Sequence, residues 1–181
     1  YNRYAHLLSV EPQPEYMEAV PAPPHLVYPF VNGNGLKGTT AGFEIAPDWK
    51  PTSAWRLQGS YSFLHMNLRT APGSQDTVTP AVVEGSSPHH QVRIQSFFDL
   101  SRNVELTLAW RYISALPAQG VGGYNTGDAR VAWRPVPRFE LAITSQNLVQ
   151  PHHAEFGGDP STLVGIKRNI FASVTFTAPG K

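Results

Sequence analysis

Val104-Glu105-Leu106-Thr107-Leu108-Ala109-Trp110-Arg111-Tyr112 decides the fold class. Val104, Leu106, Leu108, Trp110 and Tyr112 alternate with Glu105, Thr107 and Arg111, a period of two that sends apolar and polar side chains to opposite faces of a strand. The same alternation recurs on either side. Trp55, Leu57, Tyr61 and Phe63 oppose Arg56, Gln58, Ser60 and Ser62, and Val92, Ile94 and Phe98 oppose Gln91, Arg93, Gln95 and Asp99. Ala129, Val131 and Trp133 oppose Asp128, Arg130 and Arg134, and Phe139, Leu141 and Ile143 oppose Arg138, Glu140, Thr144 and Gln146. Ile170, Val174 and Phe176 oppose Ser173, Thr175 and Thr177, while Phe43 and Ile45 flank Glu44. Residues 1–10 and 26–31 are strand-like as well, so the chain reads as all-β throughout.

The connections alternate in length. Residues 50–53, 101–103 and 135–137 are tight turns, whereas 11–25, 70–87, 117–123 and 149–165 are longer stretches rich in Gly, Pro and Ser. In an antiparallel up-and-down meander successive connections lie at opposite ends, so short turns gather at one end and long loops at the other. Outer-membrane barrels show that asymmetry. Trp49, Trp55, Phe98, Trp133, Phe139 and Phe176 then fall at the short-turn end, and Tyr28, Tyr61, Phe63, Tyr112 and Tyr124 towards the long-loop end, as two girdles at the levels of the lipid headgroups. Asn32-Gly33-Asn34-Gly35 leaves the strand count open: a hairpin there gives nine strands. A bulge within one long strand over about 26–46 gives eight, the even number that bacterial barrels favour.

Composition agrees with this class. Charged residues are 15% of the 181, below the roughly 25% of soluble globular chains, while Gly (15) and Pro (17) are plentiful. A net charge of +1 with scattered Arg residues provides no field for nucleic acid. The absence of Cys excludes disulfides, Cys-ligated zinc and a Cys nucleophile. No apolar run approaches the roughly 18 residues of a spanning helix. The chain opens at Tyr1 without Met or a leader and reads as a piece of a longer protein, residues 1–181 forming the C-terminal segment of a transmembrane β-barrel.

A further pattern lies in short motifs and their order: Tyr1-Asn2-Arg3-Tyr4, then Gly42-Phe43-Glu44-Ile45, Trp49-Lys50-Pro51 and Trp55-Arg56-Leu57. Ser87-Pro88-His89-His90, the run from Asp128-Ala129-Arg130 to Trp133-Arg134-Pro135, and Gln146-Asn147-Leu148 follow. In this order and spacing the chain resembles the C-terminal barrel portion of TonB-dependent outer-membrane receptors. The resemblance implies a barrel of roughly 22 strands with a plugged lumen, of which this chain supplies the last eight. It also implies import of a scarce ligand, such as a ferric siderophore or cobalamin, across the outer membrane of a Gram-negative bacterium, energised by TonB through an N-terminal plug region not present in this chain. Two positions depart from the pattern. Phe176 is followed by Thr177-Ala178-Pro179-Gly180-Lys181 where such barrels end on an aromatic residue, and Gly127 stands where an apolar, lipid-facing residue is expected.

His89-His90 and His152-His153 are the candidate ligand contacts, at the bases of long loops. Adjacent strand residues point to opposite faces, so neither pair chelates a metal as a pair, and solvated loop-base histidines are the plainer reading. Arg93, Glu105, Arg111, Asp128, Arg130 and Glu140 are expected to face the lumen, where Glu44, Asp99, Arg56 and Arg134 join them in a salt-bridged, water-filled wall, not a catalytic carboxylate pair. Gly120-Val121-Gly122-Gly123 lacks the Lys and Ser/Thr of a phosphate loop. No Gly-x-Ser-x-Gly or His-Glu-x-x-His occurs, so no motif indicates an enzyme or a cofactor. The expected partners are outer-membrane lipid, a small ligand such as a metal chelate, and TonB. Two alternatives compete: a soluble carbohydrate-binding β-sandwich, which would bury the Leu/Val/Trp face, and an intact eight-stranded outer-membrane barrel.

Overall fold

The structure is a computed structural model and describes residues 1–150, 152–158 and 164–178. Its elements in chain order are β1 (Asn2–Pro12), β2 (Tyr16–Glu18), β3 (His25–Val27), β4 (Phe30–Ile45), β5 (Asp48–Thr52), β6 (Trp55–Thr70) and the short helix α1 (Thr79–Gly85). β7 (His90–Ser101), β8 (Val104–Ile113), a single 3-10 turn (Pro117–Gln119), β9 (Tyr124–Val136), β10 (Phe139–Gln146), β11 (His152–Ala154), β12 (Gly165–Lys167) and β13 (Asn169–Phe176) follow. The main sheet is an antiparallel meander in the order β1-β4-β6-β7-β8-β9-β10-β13, with β5 paired to β6. β1 and β13 stand at the two ends of that order.

Eight strands is therefore the right count for the meander, and β5 is a continuation of β4 interrupted at Ala46-Pro47. Pro47 cannot donate to a ladder, and its carbonyl accepts instead from the Gly59 N–H at 2.9 Å. Asn32-Gly33-Asn34-Gly35 lies inside β4 and makes no hairpin. The pairing of β1 with β4 slips beside it, between Tyr4 and Leu7 and again between Leu7 and Ser9. The long strand starts later than expected. Leu26 and Val27 belong to β3, whose hairpin with β2 occupies the first long connection.

Contacts divide the chain into two units, Tyr1–Gly42 with Leu64–Ser87 and Phe43–Phe63 with Pro88–Lys181. In the first unit, Leu36 and Ser9 are buried, and the connection after β6 is tied down by carboxylates. Glu11 accepts from the hydroxyls of Ser9 (2.6 Å) and Ser74 (2.7 Å) and from the Gln75 N–H (2.7 Å). Asp76, itself buried, accepts from the N–H groups of Val10 (2.7 Å), Thr79 (2.9 Å) and Val78 (3.1 Å). The glycines of β4 make this closeness possible. A Cβ on Gly35 would lie 2.5 Å from Glu11 Oε1 and 2.7 Å from Ser74 Cβ.

In the second unit the register joins like to like. Trp55 faces Phe98, Phe98 faces Leu106 and Leu106 faces Val131 on one side of the sheet. Arg93 faces Arg111, Thr107 faces Arg130 and Ala132 faces Ala142 on the other. The apolar side is the uncovered one. Leu108, Trp110, Val131, Trp133, Ile143 and Val174 are exposed, Ile143 and Val174 by more than 60%, and Leu106 and Leu141 are half-buried. Each tight turn is two residues, at 53–54, 102–103 and 137–138.

Candidate ligand-facing site at the long-loop end

The polar side of β7 to β10 carries two charge arrangements. Towards the short turns, Arg134 donates to Glu105 (2.9 Å) and to Glu140 (2.7 Å), and Arg130 also pairs with Glu140. Two guanidinium groups are thus balanced by two carboxylates. The buried Ala132 and Ala142 lie between them and leave room for the long side chains.

Towards the long loops the arrangement is less balanced. Arg111 donates to Glu155 Oε1 at 3.2 Å, reaching across 44 positions of sequence, while the directly opposed Arg93 donates to the Gln95 side chain at 3.1 Å. Glu155 Oε1 also meets His153 Nε2 at 3.1 Å, and His153 Nδ1 lies 3.3 Å from the Gln150 carbonyl. The His153 ring is buried and stacks on the buried Tyr124 ring at 4.5 Å and 21°. Gln150 holds the Asn125 N–H (3.2 Å), and Gln119 accepts from the Gly157 N–H (3.3 Å). The segment after β10 is fastened to the start of β9 by side chains.

Gly127 has its physical reason here. The Leu148 N–H donates to the Gly127 carbonyl at 2.7 Å, and a Cβ on Gly127 would stand 2.6 Å from Val149 Cγ2. Val149 supplies the apolar surface missing at residue 127. A larger residue there would push the returning segment away.

The four candidate histidines separate. His153 is buried in the cluster just described, whereas His152 is exposed, as alternation along β11 requires, with its ring over Gly165. His90 lies on the aromatic side: it stacks on Tyr61 (6.2 Å), meets Phe63 (5.2 Å), and its Nδ1 is 2.9 Å from the Tyr61 hydroxyl. His89 is exposed just before β7. Among the described residues no group of three or more His, Asp or Glu side chains could hold a metal ion. Asp128 accepts from the Asn147 N–H at 3.0 Å.

The aromatic girdles need one correction. Trp49, Trp55 and Phe98 cluster at the short-turn end, with Trp49 and Trp55 at 6.0 Å and Trp55 stacked on Phe98 at 5.7 Å, and Phe43 joins Tyr61 and Phe63 at the other end. Tyr124 does not belong with them. It sits on the polar side opposite Ile113, covered by His153, because its place in the alternation of β9 matches Thr126 and Asp128. Parity along β9 could have revealed this. Glu155, by contrast, has no local signal, since its partner is on another strand. Residues 151 and 159–163 of the last long connection, and 179–181 of the tail, lie outside the described residues.

No family model matches the chain, and no curated protein matches it in sequence. Solved structures do match it in fold. They include the ferric-catecholate import receptor Fiu of E. coli K12 (17% identity, TM-score 0.63, covering 81% of this chain and 22% of that one). The siderophore receptor PiuA of Acinetobacter baumannii is similar at 13% identity and TM-score 0.63, over 81% of this chain and 23% of that one. The ferripyoverdine receptor of the Pseudomonas aeruginosa outer membrane matches at 13% identity and TM-score 0.58, over 92% of this chain and 23% of that one. The chain spans less than a quarter of the length of these three structures. Its meander has the fold of a stretch of barrel wall from the TonB-dependent outer-membrane receptors.

Proposed function

We propose that residues 1–181 are the C-terminal segment of an outer-membrane transporter barrel that admits a scarce ligand such as a ferric siderophore or cobalamin, energised through TonB. One observation carries this reading. The apolar side of β8, β9, β10 and β13 is exposed while the opposite side is charged and ion-paired, the reverse of a water-soluble sheet packed on a core. A carbohydrate-binding sandwich would bury Leu108, Val131 and Ile143, which are exposed. An intact eight-stranded barrel would pair β1 with β13, and these stand at opposite ends of the strand order.

In this reading lipid covers the apolar side, and Arg93, Glu105, Arg111, Asp128, Arg130 and Glu140 line the lumen. The long connections face the outside and contribute to ligand capture. The plug, supplied by another part of the parent protein, transmits the TonB-dependent release. Deleting residues 154–158 in that parent should weaken ligand uptake by whole cells while the barrel still migrates as a heat-modifiable outer-membrane band, because no ladder of the main sheet passes through that segment. Unchanged uptake after the deletion would remove the capture role, and loss of the protein from the outer membrane would remove the barrel reading.

A further inference from the structure

We propose that Arg93 and Arg111 form an anion subsite on the polar side of β7 and β8, and that Glu155 is its built-in competitor: a ligand with several carboxylates takes Arg111 by displacing Glu155 and so loosens the segment that carries it. The inference rests on the reading of the long-loop end as the ligand entrance.

Arg93 and Arg111 oppose each other directly in the register, an arrangement that costs stability unless an anion bridges the two cations. Among the described residues Arg93 has the neutral Gln95 side chain as its partner, and Arg111 gives one hydrogen bond to one carboxylate oxygen. Each guanidinium has five N–H donors in a planar fork suited to carboxylates, so most of this capacity is unspent. Arg93 has no carboxylate partner among the described residues, and Glu155 meets only one of the two cations. The adjoining cleft is lined by Ser60, Ser62 and Gln91 together with Glu44, and Glu44 is held by the Ser62 hydroxyl at 3.4 Å. Nearer the short turns, two arginines meet two glutamates in closed contacts, whereas Arg93 reaches no carboxylate among the described residues.

Glu155 is suited to exchange. Its bond to Arg111 joins two side chains that are 36% and 44% exposed, the class of ion pair that contributes least to stability. Losing Glu155 from the cluster also removes the acceptor at His153 Nε2, so one of the contacts that hold the segment and the contact that an anion would take share one oxygen, Glu155 Oε1.

The test places a nitroxide on Phe156→Cys, an exposed neighbour of Glu155, in the detergent-solubilised full-length protein, where both ends of a barrel are open to solvent. The probe is iron-free tricarballylate, titrated against chloride at equal ionic strength. Tricarballylate should convert the label saturably from immobile to mobile, Glu155→Gln should be mobile without it, and Arg93→Gln should raise the half-saturating concentration at least tenfold. Arg93→Lys, which keeps the charge, should lie between Arg93→Gln and the parent. The subsite is overturned if tricarballylate does no more than chloride, if Arg93→Gln leaves its effect unchanged, or if Glu155→Gln stays immobile. Heat-modifiable migration identifies any variant that has not assembled, and Arg93→Lys then carries the titration. A membrane-impermeant reductant applied to intact cells tests the orientation separately. A protected label there would refute the entrance reading, whatever the titration in detergent gives.

Discussion

On the proposed barrel-wall reading, replacing Leu108 with Arg puts a charge on the apolar side of β8 at the depth where lipid tolerates it least. β8 has ten residues, and Leu108 is the fifth of them and 42% exposed. At about 3.4 Å per residue and a tilt of about 40°, such a strand rises about 26 Å, close to the height of the apolar band of outer-membrane barrels. Leu108 then lies within about 2 Å of the midplane, and Val104, four residues nearer the turn, about 12 Å from it. Leu108→Arg should therefore cost about 2–4 kcal/mol and Val104→Arg about 0–1 kcal/mol. Ala109 is the internal control. It is the next residue along, on the polar side between Gln95 and Asp128, so Ala109→Arg should change stability by no more than about 0.5 kcal/mol. Reversible denaturant unfolding of the full-length barrel in lipid vesicles measures all three. Equal costs at 108 and 109, or none at 108, would refute a lipid-facing side for this strand.

Gly127→Val should destabilise by about 1–3 kcal/mol in the same assay, because Val149 occupies the space its side chain needs, and Val149→Ala should recover part of the loss. Gly35→Ala should loosen the connection after β6, read as faster proteolysis between Ala71 and Thr79, since its Cβ would meet Glu11 and Ser74. Burial pushes the Asp76 carboxyl up, but the hydrogen bonds from Thr79, Val10 and Val78 outweigh it and hold the group at about 2, against an ordinary 3.8. The lowered value means that the ionised form stabilises the fold; the contribution is complete above about pH 4 and fades as pH falls towards about 2. The protection of the Val10 and Thr79 amides, taken relative to their intrinsic exchange rates, should fall over that window, and Asp76→Asn should abolish the pH dependence.

Much of the meander was legible because a sheet with one apolar and one polar side imposes a period of two that local sequence cannot disguise. The parity read from 104–112 predicts the faces of Leu106, Trp110 and Arg111, and the register confirms them. Features that depend on a second segment were not legible. Asn32-Gly33-Asn34-Gly35 suggests a hairpin to a local reading, but its glycines answer to Glu11 and Ser74, which approach from elsewhere in the chain. Gly127 departs from the apolar residue that alternation leads one to expect, because Val149, from another segment, fills its place. The level of Tyr124 along its strand suggests a girdle residue, although the parity of β9 puts it on the polar side. The ladder of Arg130, Arg134, Glu105 and Glu140 was readable as a shared face, whereas the pairing of Glu155 with Arg111 and His153 was not, because a long connection can return to either side of a sheet.

On the proposed barrel-wall reading, one side of this sheet meets lipid and the other water. Single-cysteine nitroxide scanning of Val104–Ile113 in the full-length protein in lipid vesicles, comparing collision with dissolved oxygen and with a water-soluble nickel chelate, tests it most directly. Positions 104, 106, 108, 110 and 112 should favour oxygen, most strongly at 108, and positions 105, 107, 109, 111 and 113 should favour the chelate. A profile without a period of two, or one in which the odd positions favour oxygen, would contradict a lipid-facing side for this sheet.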